Sequence, residues 1–203
     1  MHCGRISHRF NRQIDEAPVA PSALRAAGEM WTDVMGLQKF STPRALATEE
    51  IPALVDEHRQ ATVNALAAGF DGIELHSANG YLSNQFLSTA TNKRTDKYGG
   101  SIQNRIRFVL ECLEGMIDGA GSSTKVGIRI SPGTVFNDVG FEDDLETHIA
   151  LVKALNPLNL AYLHIQRTLK IDALTDIRPL FKGPLIVAGI LTFFFCGDHG
   201  VVC

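Results

Sequence analysis

Cysteine is scarce and unpatterned in this chain. Cys3, Cys112, Cys196 and Cys203 are scattered, with no Cys-x-x-Cys pair and no metal-ligand spacing, which argues against a zinc site or a disulfide framework. Such usage fits reduced thiols in a cytoplasmic setting. Long apolar runs are missing too: none approaches the roughly 20 residues of a membrane span. The opening MHCGRISHRF is polar and lacks the apolar core of a signal peptide. Charge of one sign is not in excess. A net charge of −3 and a pI near 6.1 give no reason to expect nucleic-acid or membrane-surface binding. No lysine stands at the C-terminal end of an expected strand, which disfavours a lyase-type barrel working through a Schiff base.

What remains is an ordinary globular composition, 45% hydrophobic and 20% charged, with strands and helices in alternation. Residues 5 to 48 read as a long irregular connection punctuated by Pro18, Pro21 and Pro43, with a turn or a hairpin over Ala27 to Val34. Thr48 offers a helix N-cap, with Glu49 and Glu50 in the first turn. Ile51, Leu54, Val55, His58, Ala65 and Leu66 then recur at helical spacing up to a stop at Gly69. Ser101 can cap a second helix whose stripe is Ile102, Ile106, Val109, Leu110, Leu113 and Ile117, ended by Gly119 and Gly121. VGIRISP, LAYLHIQ and GPLIVAGIL read as strands, separated by helices over Asp143 to Leu155 and, more weakly, Ile171 to Phe181. Repeated strand–helix order predicts a parallel sheet with right-handed crossovers.

The chemistry concentrates between Gly69 and Arg107. Ile73 and Leu75 point to one side of the expected strand, and Gly72, Glu74 and His76 to the other. His76 is expected at the strand's last position, with Asn79 and Tyr81 following in the loop. Three hydrogen-bonding groups thus fall where a parallel α/β fold places its ligands. Alone, His-x-x-Asn-x-Tyr would equally suit a structural cluster at a strand end.

HSANGYLSNQFL followed by NKRTDKYGGSIQNR resembles the signature of the Old Yellow Enzyme family, the NADH:flavin oxidoreductases and 12-oxophytodienoate reductases. HCGRISH, PVAPSAL, VGIRISP and LAYLH extend the likeness, more loosely, from His2 to about Leu191. The resemblance implies a (β/α)8 barrel that binds FMN and uses NAD(P)H to reduce α,β-unsaturated carbonyl compounds. A whole barrel of this kind takes about 250 residues, so 203 residues imply a partial TIM barrel. The four expected strands match the fourth to seventh of eight, preceded by the long loop. The barrel domain would occupy residues 1 to 191, and residues 192 to 203 form a tail unlike the family.

Carried over position by position, the resemblance implies that His76 and Asn79 hold the substrate's carbonyl oxygen through two N–H donors. Tyr81 would give the proton to the α-carbon from the opposite face. Arg129, on the inward side of its strand, would face the flavin's N1–C2 carbonyl edge and stabilise charge on the reduced ring. It equally suits pairing with an inward carboxylate such as Glu74, and the two roles are compatible. Gly189 would offer backbone to the FMN phosphate. There the chain departs from the family: Ile190 replaces Gly or Asn, and TFFFCGDHGVVC follows from Thr192. Arg94, Asp96, Tyr98 and Arg105 read as a salt-bridged brace in a turn-forming run, and Tyr162 and His164 as filling of the barrel core. The expected partners are a small enone or enal, with no nucleic acid and no membrane. Open sheet edges invite self-association, and the alternative reading is an inactive remnant or interaction module derived from this family.

Overall fold

The computed structural model describes residues 4–11, 16–168 and 173–189. The long N-terminal connection is more ordered than its prolines suggest. Strand β1 (Val19–Ala20) pairs in parallel with β4 (Arg44–Ala45). Between them, β2 (Glu29–Thr32) and β3 (Gly36–Lys39) form an antiparallel hairpin, so the open choice over Ala27 to Val34 resolves as a hairpin. Trp31 and Leu37 pair across it and stay exposed, as do Val34 and Met35 beside them. Leu46, whose N–H donates to Ala20 O at 2.9 Å, anchors the connection in the core.

Helix α1 (Ile51–Ala67) follows a short 3-10 turn over Thr48–Glu50. Thr48 is not a cap: its hydroxyl donates to the Asp96 carboxylate instead, while Glu50 reaches back to the Ala47 N–H at 2.7 Å. The Thr48 oxygen in turn accepts from Arg94 Nη2 at 3.1 Å instead of from a main-chain N–H of the helix start. Strand β5 (Ile73–Ser77) ends one residue later than expected, on a buried Ser77 rather than on His76. Next come the short α2 (Leu82–Leu87), buried over its whole length, and α3 (Ile102–Ala120). Ser101 caps α3 as expected, accepting from the Asn104 N–H at 3.3 Å, and Gly121 in the left-handed region ends it. Strand β6 (Val126–Ile130), α4 (Asp144–Leu155), β7 (Tyr162–Gln166), α5 (Ala173–Ile177) and β8 (Leu185–Ala188) complete the described chain. Ile190 and the residues beyond it, including the expected boundary at 191, lie outside the described residues, as do Cys3, Cys196 and Cys203. Cys112 is a buried thiol.

Four strands form one parallel sheet in the order β5-β6-β7-β8. Leu75, Val126, Ile128, Ile130, Leu163 and Ile165 share the core with Val109, Leu113, Met116, Leu151 and Leu155 of the covering helices. The alternate residues turn to the other face, where the register aligns His76, Arg129, His164 and Ile186 in one row. Sequential strand order with helices on one side is the arrangement of an α/β barrel wall. Among the described residues, β5 and β8 have no further strand partner. A cavity of about 360 Å³ runs along β5, lined by Ile73, Leu75 and His76 and by Leu54, His58 and Met116. No helix among the described residues is long and apolar enough to cross a membrane.

Gly119 does not end α3 but lies within it, against α1. A Cβ there would sit 2.6 Å from Arg59 O, a main-chain atom that cannot swing aside. At Gly115, one turn earlier, the nearest atom is Val55 Cγ1 at 3.3 Å, which can yield. Alanine gains up to about 1 kcal/mol in a helix interior, while overpacking costs about 1–3 kcal/mol. Gly119→Ala should therefore lower stability by about 1–2 kcal/mol, and Gly115→Ala should be near neutral. Urea midpoints of the two variants check this; equal midpoints would remove the close-approach argument.

Candidate active site

The loop after β5 is held from several sides. Within α2, Asn84 accepts the Gly80 N–H at 2.9 Å and Gln85 donates to Gly80 O at 2.7 Å. The Asn79 N–H donates to Ser131 Oγ at 2.8 Å, and Asn137 Nδ2 donates to Asn79 O at 2.8 Å. Asn79 has φ +56°, a left-handed conformation that asparagine tolerates better than most residues. The loop after β6 is fastened in turn by Arg5, a buried residue that donates to Asn137 O at 2.8 Å and Leu24 O at 3.2 Å. Burial pulls the Arg5 guanidinium below its usual pKa.

This scaffold brings the expected site residues to one end of the sheet. His76 and Tyr81 meet edge-on, with ring centroids 5.3 Å apart. His76 and Arg129 are register neighbours on β5 and β6. Arg129 Nη2 and Asn79 Nδ2 both donate to Gln166 Oε1, the second at 3.4 Å. Gly189 stands apart, just past β8 with φ +120°, where a Cβ would come within 3.1 Å of Arg167 O.

Arg129 does not pair with Glu74. The Glu74 carboxylate is taken by His164 Nδ1 at 2.9 Å, with the Tyr162 phenol beside it. Gly127 explains the arrangement, because its missing side chain leaves room for the Tyr162 ring, 2.5 Å from where a Cβ would be. Tyr162 can thus lie across β6 towards Glu74, and burial followed by that carboxylate raises its pKa. Tyr162 and His164 do fill the inner face as expected, with His164 hydrogen-bonded to Glu74. Among the described residues the Arg129 guanidinium therefore pairs with no carboxylate, and its buried Nε has no hydrogen-bond partner.

Sequence reasoning overlooked Gln166, Ser131 and Asn137. A signal for Gln166 was present: it follows Tyr162 and His164 at period two and so shares their inward face. Ser131 and Asn137 act through loop geometry that has no periodicity to read.

The polar run after α2 is a brace. Arg94 donates to Pro21 O at 3.1 Å and Thr48 Oγ1 at 3.1 Å, and pairs with Asp96. Asn92 Nδ2 spans Phe86 O and Tyr98 O, both at 2.8 Å. Tyr98 OH donates to Glu111 at 2.8 Å, and burial, then that carboxylate, pushes its pKa above the usual phenol range. Arg105, only 1% exposed, holds Gly100 O at 3.1 Å, Leu87 O and the Asp143 carboxylate.

Polar groups beyond the carboxyl ends of a parallel α/β sheet define a ligand site of the barrel class. Comparison with known proteins identifies which one. Residues 1–178 match the model of the NADH:flavin oxidoreductase / NADH oxidase family. The chain is 36% identical over 200 residues to 12-oxophytodienoate reductase 2 of Arabidopsis thaliana, covering 94% of this chain and 53% of that protein. It is 41% identical over 172 residues to 12-oxophytodienoate reductase 7 of Oryza sativa subsp. japonica, covering 81% and 43% respectively. Among solved structures, morphinone reductase in complex with tetrahydroNAD superposes with a TM-score of 0.87 at 42% identity, covering 92% of this chain and 53% of that one. The Old Yellow Enzyme homologue from Zymomonas mobilis gives 0.88 at 33% identity, over 94% and 55%. The chain belongs to the NADH:flavin oxidoreductase family, the Old Yellow Enzyme group. It spans about half the length of the relatives it matches.

Hydrogen bonds hold the Asp96 carboxyl well below the usual carboxylate range, above all those from Arg94 and then from Thr48 and the Tyr98 N–H. Because the folded value lies below the unfolded one, the stabilisation is fully present above about pH 4 and fades as pH falls below it. Asp96→Asn should therefore be less stable than the wild type at neutral pH, and the gap should narrow below about pH 4. Urea unfolding at a series of pH values measures it; a gap that does not change with pH would contradict the assignment.

Proposed function

We propose that this chain carries the substrate-gripping half of an FMN-dependent, NAD(P)H-driven ene-reductase, which reduces the C=C bond of α,β-unsaturated carbonyl compounds. Its four parallel strands correspond to the fourth to seventh of a barrel of eight. The observation that carries the reading is the gathering of His76, Asn79, Tyr81 and Arg129 at one end of β5 and β6.

The residues present suit a flavin. Among the described residues, Arg129 has a buried Nε without an acceptor and no carboxylate against its charge, so it can meet an electron-rich carbonyl edge. FMN, when bound, supplies the hydride for the alkene. His76 and Asn79 hold the carbonyl oxygen in this reading and withdraw charge from the alkene. The Asn79 amide carries two hydrogens, and one already rests on Gln166 at 3.4 Å, which leaves the other for the substrate. Tyr81 delivers its phenol proton to the α-carbon. The Gly189 backbone would offer a contact to the FMN phosphate. The edges of β5 and β8, unpaired among the described residues, suit a sheet extended by further strands, from the same protein or another copy.

The test is spectroscopic. Purified chain mixed with FMN and freed of excess should stay yellow and lose its colour when NADPH is added without oxygen. Tyr81→Phe should still bleach, yet slow enone turnover by on the order of 10²–10⁴-fold. His76→Ala should weaken both enone binding and turnover. A colourless chain would remove the flavin reading, and normal turnover in both variants would remove the roles given to those side chains.

A further inference from the structure

Gln166 ends β7 on the face that carries Tyr162 and His164, one position beyond the row of Arg129 and His76. Its Oε1 receives Arg129 Nη2 from β6 and Asn79 Nδ2 from the loop after β5. Arginine has no acceptor at all, so the amide oxygen must face it, which fixes which way the Gln166 amide points. The steps proposed above make no use of this group, yet it joins two of the side chains assigned to them.

The chemistry of an amide oxygen distinguishes it from the alternatives. An aliphatic side chain would leave Arg129 Nη2 without this acceptor, next to a buried Nε that already lacks one. A carboxylate would grip both donors more tightly but set a compensating negative charge against the guanidinium. Only a neutral acceptor holds the cation in place while leaving its charge for something else. We infer that Gln166 is a positioning residue: its carbonyl fixes the Asn79 amide and the Arg129 guanidinium in one arrangement without adding a negative charge beside the guanidinium. This rests on the reading of Asn79 as facing the substrate and Arg129 as facing the flavin.

The experiment compares wild type, Gln166→Leu and Gln166→Glu in the purified chain. Proton–nitrogen NMR of the protein without flavin reads the Arg129 Nε–H and the Asn79 side-chain amide. Titration with FMN, followed by quenching of its fluorescence, reads affinity. Gln166→Leu should move both NMR signals, whereas the nearly isosteric Gln166→Glu should leave them close to wild type because the acceptor survives. Both variants should weaken FMN roughly tenfold, the first by losing orientation and the second by adding a negative charge beside the guanidinium. The Gln166→Glu spectrum also shows that a change at this position leaves the fold intact. Unmoved signals in Gln166→Leu, or wild-type FMN affinity in both variants, would overturn the proposal. If wild type binds no FMN while Gln166→Leu shifts both signals, the flavin reading fails and the tie between the two side chains stands.

Discussion

The site depends first on a cation kept out of water. Arg105 is buried beneath the end of α2, and its guanidinium joins Leu87 O, Gly100 O and the Asp143 carboxylate. A buried charge is tolerable only with partners on every side, so these three segments are locked to one another. The C-terminal end of α2, the loop entering α3 and the entrance to α4 thereby become one block. The other end of α2 holds the Gly80 backbone through Asn84 and Gln85. The position of Asn79 and Tyr81 is thus set from the α2 side.

Above that block the inner face divides its charges. Glu74 is occupied by His164, with Tyr162 beside it, while Arg129 rests on the neutral carbonyl of Gln166. The division is possible because Gly127 lets an aromatic ring cross β6. Were the carboxylate free, the nearby guanidinium would be its natural partner. The positive charge at the sheet's mouth is therefore a product of where the tyrosine lies as much as of the arginine.

Much of this was legible in the residues. Alternation in VGIRISP placed Arg129 inward, and helical spacing located α1, α3 and α4 to within a residue or two. The brace of Arg94, Asp96, Tyr98 and Arg105 followed from polar residues in a turn-forming run. What failed was partner choice. Thr48 fits a cap by local rules, yet Asp96, 48 positions away, takes its hydroxyl. Glu74 and Arg129 looked complementary, but β7 supplied competing donors. Gly119 looked like a stop because close approach between two helices leaves no trace in either one alone. Local periodicity is written into each segment, whereas these choices arise between segments.

The Asn79 main chain is gripped by Ser131 and Asn137, both from the turn after the next strand. One strand–helix unit therefore does not contain its own active conformation; it borrows that from its neighbour. Modular exchange within such barrels would have to move β5 and β6 with their loops together. A crossover falling in α3 would deliver the amide to its new host in the wrong pose, even with every residue of the β5 unit unchanged.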